Sequence, residues 1–212
     1  MFTGTVQEQF QDLEQQTHAA ELGMWAFMAS EVLFFSGLFG LFAAYRFEYG
    51  EIFRQAAAHT DLGLGTANTF ILLTSSLLVV LSVHGVARGW PAARVIWLLS
   101  LTIGLGVLFL ALKLLEYVHH FREGFYPGAY YSSVELPERG ARVFFTLYYA
   151  MTGIHAIHVT VGLVLMAWMI VLVRRGRLSP EYRTPLELSG IYWHFVDIVW
   201  VFLWPLFYLM RA

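Results

Sequence analysis

Long apolar runs separated by short polar segments dominate the chain. A helix that crosses a membrane needs about 20 consecutive, largely apolar residues, and five stretches meet that requirement. They are residues 22–45, 65–88, 94–120, 142–173 and 187–210. The pattern predicts an all-α protein, an integral membrane bundle of five transmembrane helices over 22–210, preceded by a polar N-terminal segment over 1–21.

The connections between the runs alternate in length. Short turns with prolines, ARGWPAAR and RRGRLSPEYRTPLE, divide the second run from the third and the fourth from the fifth, whereas 46–64 and 121–141 are longer and polar. Tyrosines near the run ends, among them Tyr148 and Tyr208, are typical of membrane interfaces. Six arginines fall on each face, but those of the short turns are more concentrated. This favours a cytoplasmic N-terminus and a C-terminus outside.

Composition agrees with a lipid environment and narrows the chemistry. Of the 212 residues 58% are hydrophobic and 13% charged, against about 25% charged in soluble domains. The net charge of −2 argues against a nucleic-acid partner. The chain has no cysteine, which excludes disulfides, thiolate nucleophiles, iron–sulfur clusters and attached c-type haem. The acidic N-terminus lacks the basic region of a secretory signal, so we expect it to be retained.

Polar side chains inside the apolar runs are the candidate functional residues. A charged group at mid-bilayer costs about 2.5–3.5 kcal/mol on insertion scales, so it should face protein. Glu31 stands about 13 Å into the first run at 1.5 Å per residue. It is either a proton-accepting or lipid-contacting site, or a protonated acid bonded to a neighbouring helix. His155 and His158 share one face of the fourth run, and His194 and Asp197 share one face of the fifth.

Lys113 and Glu116 form a secondary polar pair in the third run. Their i, i+3 spacing allows them to bond to each other. They lie near the end of the run, where Lys113 can also extend its amino group to the membrane surface. We interpret this pair as structural.

Small residues recur along the runs. In lipid, glycine and serine allow helices to approach closely. We therefore expect helix contacts at several of them: Gly37, Gly40, Ser75, Ser76, Gly104, Gly153 and Gly162.

A metal or haem site is the less favoured interpretation of the polar pairs. A di-iron bundle needs Glu-x-x-His on two helices, and neither pair has that form. Haem b needs two facing histidines, so an autonomous haem b membrane protein using two of His84, His155, His158 and His194 stays open as a different class. Neither a Gly-x-Ser-x-Gly motif nor a phosphate loop is present, which argues against a hydrolase.

Five segments, in this order and spacing, resemble subunit III of the haem–copper terminal oxidases: WAFMASEVLFFSGLF, NTFILLTSS, LKLLEY, TGIHAIHVTVG and YWHFVDIVW. The resemblance runs from Gly23 to Leu209 and is greatest to bacterial cytochrome c oxidase subunit III of the five-helix type. It implies a non-catalytic inner-membrane subunit of a proton-pumping oxidase in aerobic respiratory electron transport. Such a subunit carries no haem or copper, which belong to subunits I and II. It docks against subunit I, binds phospholipid and supports proton uptake.

The resemblance also implies roles for individual residues. Glu31 matches the family's intramembrane, carbodiimide-reactive glutamate. We expect a buried, proton-handling polar seam of Glu31, His158, His194 and Asp197, with no metal and no catalytic residue.

Lipid binding and the type of oxidase are less sharply defined by the resemblance. Arg174 or Arg175 lies near the family's lipid-binding arginine. Ala20 and Glu21 replace the basic residues that many members carry before the first run, and the two additional helices of seven-helix members do not precede it. The alternatives are subunit III of a quinol oxidase and a nitric oxide reductase accessory subunit. Membership of a larger respiratory supercomplex is left open.

Overall fold

Five long helices and one short helix make up the structure, a computed structural model that describes residues 8–136 and 138–210. Each long helix is long and apolar enough to cross a membrane. No strand occurs among the described residues, so the all-α prediction is confirmed. The elements are α1 (Leu13–Glu48), α2 (Gly50–Ala58), α3 (Leu62–Ala87), α4 (Ala92–Arg122), a 3-10 turn (Gly128–Tyr130), α5 (Arg139–Arg174) and α6 (Thr184–Tyr208).

The helices differ from the apolar runs at two places. α1 begins at Leu13, well before the run does, because the side chain of Asp12 caps it by accepting a hydrogen bond from the Gln15 N–H (2.7 Å). The predicted connection 46–64 contains α2, whose Phe53 is fully buried. α2 has only nine residues, so its apolar positions recur over too few turns for the sequence to distinguish this helix from a polar connection.

Four helices form an antiparallel bundle in which α3, α4, α5 and α6 each contact the next and α6 closes back on α3. Trp193 of α6 lies at its centre, where its indole N–H donates to the hydroxyl of Ser75 in α3 (3.0 Å). α1 packs beside this bundle, against α5 and α6. Many of its apolar side chains remain exposed, among them Leu22, Trp25, Val32, Leu33 and Phe34.

The contact expected at Gly162 is confirmed. A Cβ added there would lie 2.6 Å from the Trp193 ring, so only glycine lets α5 approach α6 this closely. The expectation was wrong for four other glycines, where an added Cβ meets nothing within 4 Å. They lie on open helix faces: Gly37, Gly40, Gly104 and Gly153.

The alternating helix directions define two faces of the molecule. The N-terminal face holds the start of α1 and the α3–α4 and α5–α6 turns, and the Thr17 and Thr184 hydroxyls lie 3.5 Å apart there. The C-terminal face holds α2, the loop between α4 and α5, and the end of α6. The Thr60 hydroxyl donates to the Phe207 carbonyl on that face (3.0 Å).

Candidate functional site

Glu31 of α1 and His158 of α5 form a hydrogen-bonded pair. The ring nitrogen Nε2 of His158 lies 3.0 Å from Oε2 of Glu31, and Nδ1 lies 2.9 Å from the backbone carbonyl of Ile154. A carbonyl only accepts hydrogen bonds, so Nδ1 carries a hydrogen. The hydrogen bond between Nε2 of His158 and Oε2 of Glu31 then needs one further proton, which belongs either to a neutral Glu31 or to a charged His158. In both cases Glu31 and His158 share one hydrogen between α1 and α5.

Aromatic groups hold this pair in place. The ring of Phe35 lies edge-on to the His158 ring, with 5.2 Å between centroids. The Tyr192 hydroxyl donates to the backbone carbonyl of His158 (3.0 Å). The Glu31 and His158 side chains are 19% and 17% exposed, so the pair is largely but not completely enclosed by the chain.

His194 and Asp197 belong to a different contact, between α6 and α3. Nδ1 of His194 lies 2.5 Å from the hydroxyl oxygen of Ser76. Asp197 is 3% exposed, and its carboxyl makes no hydrogen bond within the described chain. No direct hydrogen bond joins either residue to Glu31 or His158 there. The four residues expected to form one seam therefore lie in two separate groups, because α6 directs His194 towards α3.

Lys113 and Glu116 form the most extensive polar cluster in the bundle. Nζ of Lys113 donates to Oε2 of Glu116 (2.9 Å) and to the hydroxyls of Tyr148 (2.7 Å) and Tyr208 (2.8 Å). The Tyr208 hydroxyl in turn donates to Glu116 (2.8 Å). This cluster joins α4, α5 and α6.

The surroundings of Lys113 correct two expectations. Its side chain is 3% exposed and does not extend to the surface, because three acceptors satisfy its three N–H donors internally. Tyr148 and Tyr208 are fully buried partners of the ion pair rather than interfacial aromatics. Their position near the run ends concealed this, since interfacial and buried tyrosines look alike in sequence.

His155 and His158 have different surroundings within the bundle. The His155 ring is fully buried between Trp200 and Phe109, at centroid distances of 5.4 and 5.7 Å. Both ring nitrogens of His158 are engaged by Glu31 and Ile154. Within residues 8–136 and 138–210, no group of three or more His, Cys, Asp or Glu side chains is placed to hold a metal ion.

A groove of about 430 Å³ runs between α3 and α6 from the N-terminal face. Its polar lining consists of His84, Arg183, Glu187 and His194, and valine, alanine, isoleucine and glycine form the remainder. Nε of Arg183 donates to Oε1 of Glu187 at the start of α6 (2.6 Å). Sequence reasoning did not single out Arg183, Glu187 or Ser76 as site residues, because only the pairing of α3 with α6 brings them together.

Arg174 and Arg175, the expected lipid-binding residues, lie at the exposed C-terminal end of α5. They do not line the α3–α6 groove. Both are close to the N-terminal face, where a positively charged side chain can meet a phosphate headgroup. Lipid binding by these two residues stays a prediction.

The fold defines a multi-pass helical membrane protein, and two pairs of ionisable side chains, Lys113–Glu116 and Glu31–His158, lie within its membrane helices. A family model for cytochrome c oxidase subunit III matches residues 4–211. The chain belongs to this family, and it is subunit III of a haem–copper oxidase.

Relatives named as quinol oxidase subunits and as cytochrome c oxidase subunits match most of the chain. The quinol oxidase subunit 3 of Bacillus spizizenii is 30% identical over 190 residues, which cover 89% of this chain and 86% of the relative. The cytochrome c oxidase subunit 3 of Alkalihalophilus pseudofirmus is 33% identical over 195 residues, covering 89% and 85%. A probable quinol oxidase subunit 3 of Staphylococcus aureus is 26% identical over 203 residues, covering 93% and 94%.

Proposed function

We propose that this chain is a non-catalytic subunit that supports proton uptake by a proton-pumping cytochrome c oxidase of the bacterial plasma membrane. The Glu31–His158 pair carries this proposal. It keeps one transferable proton between α1 and α5, and its partial exposure lets that proton exchange with a neighbouring subunit or with water. A titratable pair inside a membrane domain is a functional candidate because its insertion is costly.

The subunit transfers no electrons in this proposal. Its ionisable groups bind and release protons, while the haems and copper of subunits I and II carry out oxygen reduction. With the N-terminus in the cytoplasm, the α3–α6 groove opens on the side from which such oxidases take up protons.

α1 supplies the contact with subunit I and with phospholipid in this proposal. Among the described helices it contacts α2, α5 and α6, and its outer surface presents large apolar side chains such as Leu33 and Trp25. In lipid, such a helix is held by van der Waals packing against a partner helix or acyl chains. Arg174 and Arg175 are the proposed headgroup contacts at the N-terminal face.

Quinol oxidase is the second candidate for the type of complex. The names of the Bacillus and Staphylococcus relatives favour it, whereas the Alkalihalophilus relative carries the cytochrome c name. Subunit II makes the choice of donor, so the buried groups of this chain are compatible with both.

Selective removal of this subunit from the purified oxidase tests the proposal. Oxygen consumption is followed over time at two pH values, with reduced cytochrome c and a quinol as alternative donors, and optical spectra are recorded before and after removal. We expect unchanged haem and copper spectra and substantial initial turnover, because the redox path does not enter this chain. Sustained turnover should decline, and more so at the higher pH, where protons are scarce.

Two outcomes would contradict the proposal. Immediate and complete loss of activity with loss of a haem signal would place a redox centre on or against this chain. Full, lasting activity at both pH values would remove its role in proton uptake. Turnover with quinol but not with cytochrome c would leave the proton role intact and assign the complex to the second candidate.

A further inference from the structure

Asp197 is a buried acid of the bundle that lies apart from the Glu31–His158 pair. Its carboxyl is almost fully buried, and it makes no hydrogen bond to the described residues. A buried carboxyl without a well-formed hydrogen bond is costly in its charged form and under-satisfied in its neutral form. Access to water would relieve both conditions.

The α3–α6 groove extends as far as His194, which lies one helical turn before Asp197 on α6. Arg183, Glu187 and His84 lie at its mouth on the N-terminal face, and His194 lines its inner part. Nδ1 of His194 is bonded to Ser76, which leaves the other ring nitrogen for the groove. Asp197 follows His194 by three residues and shares its face of α6, which places the carboxyl beside the Ser76 hydroxyl. Polar groups therefore follow one another from the surface to the buried acid.

We propose that the α3–α6 groove admits water from the N-terminal face and that His194 and Ser76 carry protons between this water and Asp197. A proton bound at Nε2 of His194 releases the Nδ1 proton to the Ser76 oxygen, and the Ser76 hydroxyl proton passes to the carboxylate. The net change is one proton moved from water to Asp197, with no electron transferred. Exchange of the imidazole tautomer resets the path.

The charged groups on the surrounding helices form hydrogen bonds or ion pairs with residues other than Asp197. Glu31 bonds to His158, Lys113 bonds to Glu116, and on α2 Glu51 bonds to Arg54. His155 is enclosed by aromatic rings, and the His84 ring lies edge-on to Trp90. None of them forms an ion pair with Asp197 in the described chain, so the groove is its route to protons.

Cysteine substitution tests the first half of the proposal, since the chain has no native cysteine. Val80 lines the groove about two turns before the end of α3, and Leu101 lies about two and a half turns after the start of α4, beyond the short turn that joins these helices. Val80→Cys and Leu101→Cys in the intact oxidase are treated with a small, water-soluble methanethiosulfonate, and modification of this chain is mapped. Only a thiolate reacts, and thiolates form in water rather than in lipid.

We expect Val80→Cys to react about tenfold or more faster than Leu101→Cys, because only the first side chain faces water. Val32→Cys, in the apolar groove between α1 and α6, is a second control and should also react slowly. Equal, slow reaction at all three positions would overturn the proposal, because the groove would then contain lipid or a partner subunit.

Infrared spectroscopy of the resting oxidase tests the second half. Asp197→Asn identifies the Asp197 carboxyl band as the signal lost from the spectrum of the unmodified complex. Transfer to D₂O should shift this band rapidly in the unmodified complex and slowly in His194→Phe, which fills the same space without a ring nitrogen. Equally rapid exchange in both, or no band assignable to Asp197, would overturn the route.

This route deepens the proton-handling part of the proposed function, but both experiments use the resting complex. Their outcome does not depend on turnover. An oxidase that stays fully active without this subunit would contradict the proposed function but not the proton route through His194 and Ser76. A groove without water would contradict the proton route but not the proposed function.

Discussion

At the scale of single residues, the buried ion pair of Lys113 and Glu116 shows how the membrane domain accommodates charge. Every N–H of Lys113 has an acceptor, and both carboxyl oxygens of Glu116 accept a hydrogen bond from Tyr208. Such a pair adds little net stability over apolar residues, but breaking it leaves an uncompensated charge. The cluster therefore favours this helix arrangement over others in which the charges would be separated.

Loss of Lys113 alone should be more harmful than loss of both charges. Lys113→Met leaves the buried Glu116 carboxyl without its cationic partner, and we expect a destabilisation of about 3–5 kcal/mol. The double variant Lys113→Met, Glu116→Gln should be closer to the unmodified protein. Thermal unfolding and assembly of the purified oxidase measure both effects.

The exposed pair on α2 is the control for this comparison. Its hydrogen bond from Arg54 lowers the pKa of the Glu51 carboxyl, but both side chains lie at the surface. Arg54→Ala should therefore leave assembly and thermal unfolding nearly unchanged. A double variant that is as damaged as Lys113→Met, or more so, would show that the pair contributes more than the avoidance of an isolated charge.

At the scale of helices, Trp193 explains why the bundle closes as it does. Its ring fits between Gly106 of α4 and Gly162 of α5, and its indole N–H bonds to Ser75 of α3. One side chain of α6 thus contacts three neighbouring helices. Two glycines supply the space, since any larger side chain would hold these helices apart.

Gly162→Ala should displace Trp193, because the new Cβ would lie 2.6 Å from its ring. Overpacking of this kind costs about 1–3 kcal/mol. We expect a lower thermal stability and a change in tryptophan fluorescence as the bond to Ser75 is disturbed. Gly153→Ala on the same helix meets nothing within 4 Å and should be neutral or slightly stabilising, as a better helix former. Equal loss in both variants would assign the effect to α5 itself rather than to the contact with Trp193.

At the scale of the whole molecule, the five membrane helices place the α4–α5 loop and the α5–α6 turn on opposite faces. Glu181 lies in the α5–α6 turn on the N-terminal face, and Glu135 lies in the α4–α5 loop on the C-terminal face. The arginine-rich short turns favour a cytoplasmic N-terminal face. Proton uptake from the cytoplasm through the α3–α6 groove requires the same orientation.

Single cysteines at these two acids report the orientation. In intact cells an impermeant thiol reagent should modify Glu135→Cys and spare Glu181→Cys, while permeabilised cells should allow both to react. The reverse pattern in intact cells would put the N-terminus outside and would direct the α3–α6 groove away from the cytoplasm.

The sequence by itself determined the five membrane helices, the absence of thiol chemistry and the family of the protein. These properties reside in apolar runs, composition and ordered motifs, which are local or additive along the chain. The tertiary structure decided which polar groups meet. His194 bonds to Ser76 instead of joining Glu31, and Lys113 bonds to Tyr208 near the far end of the chain. Helix order and rotation select these partners, and an apolar run has much the same hydropathy whichever way its helix is turned.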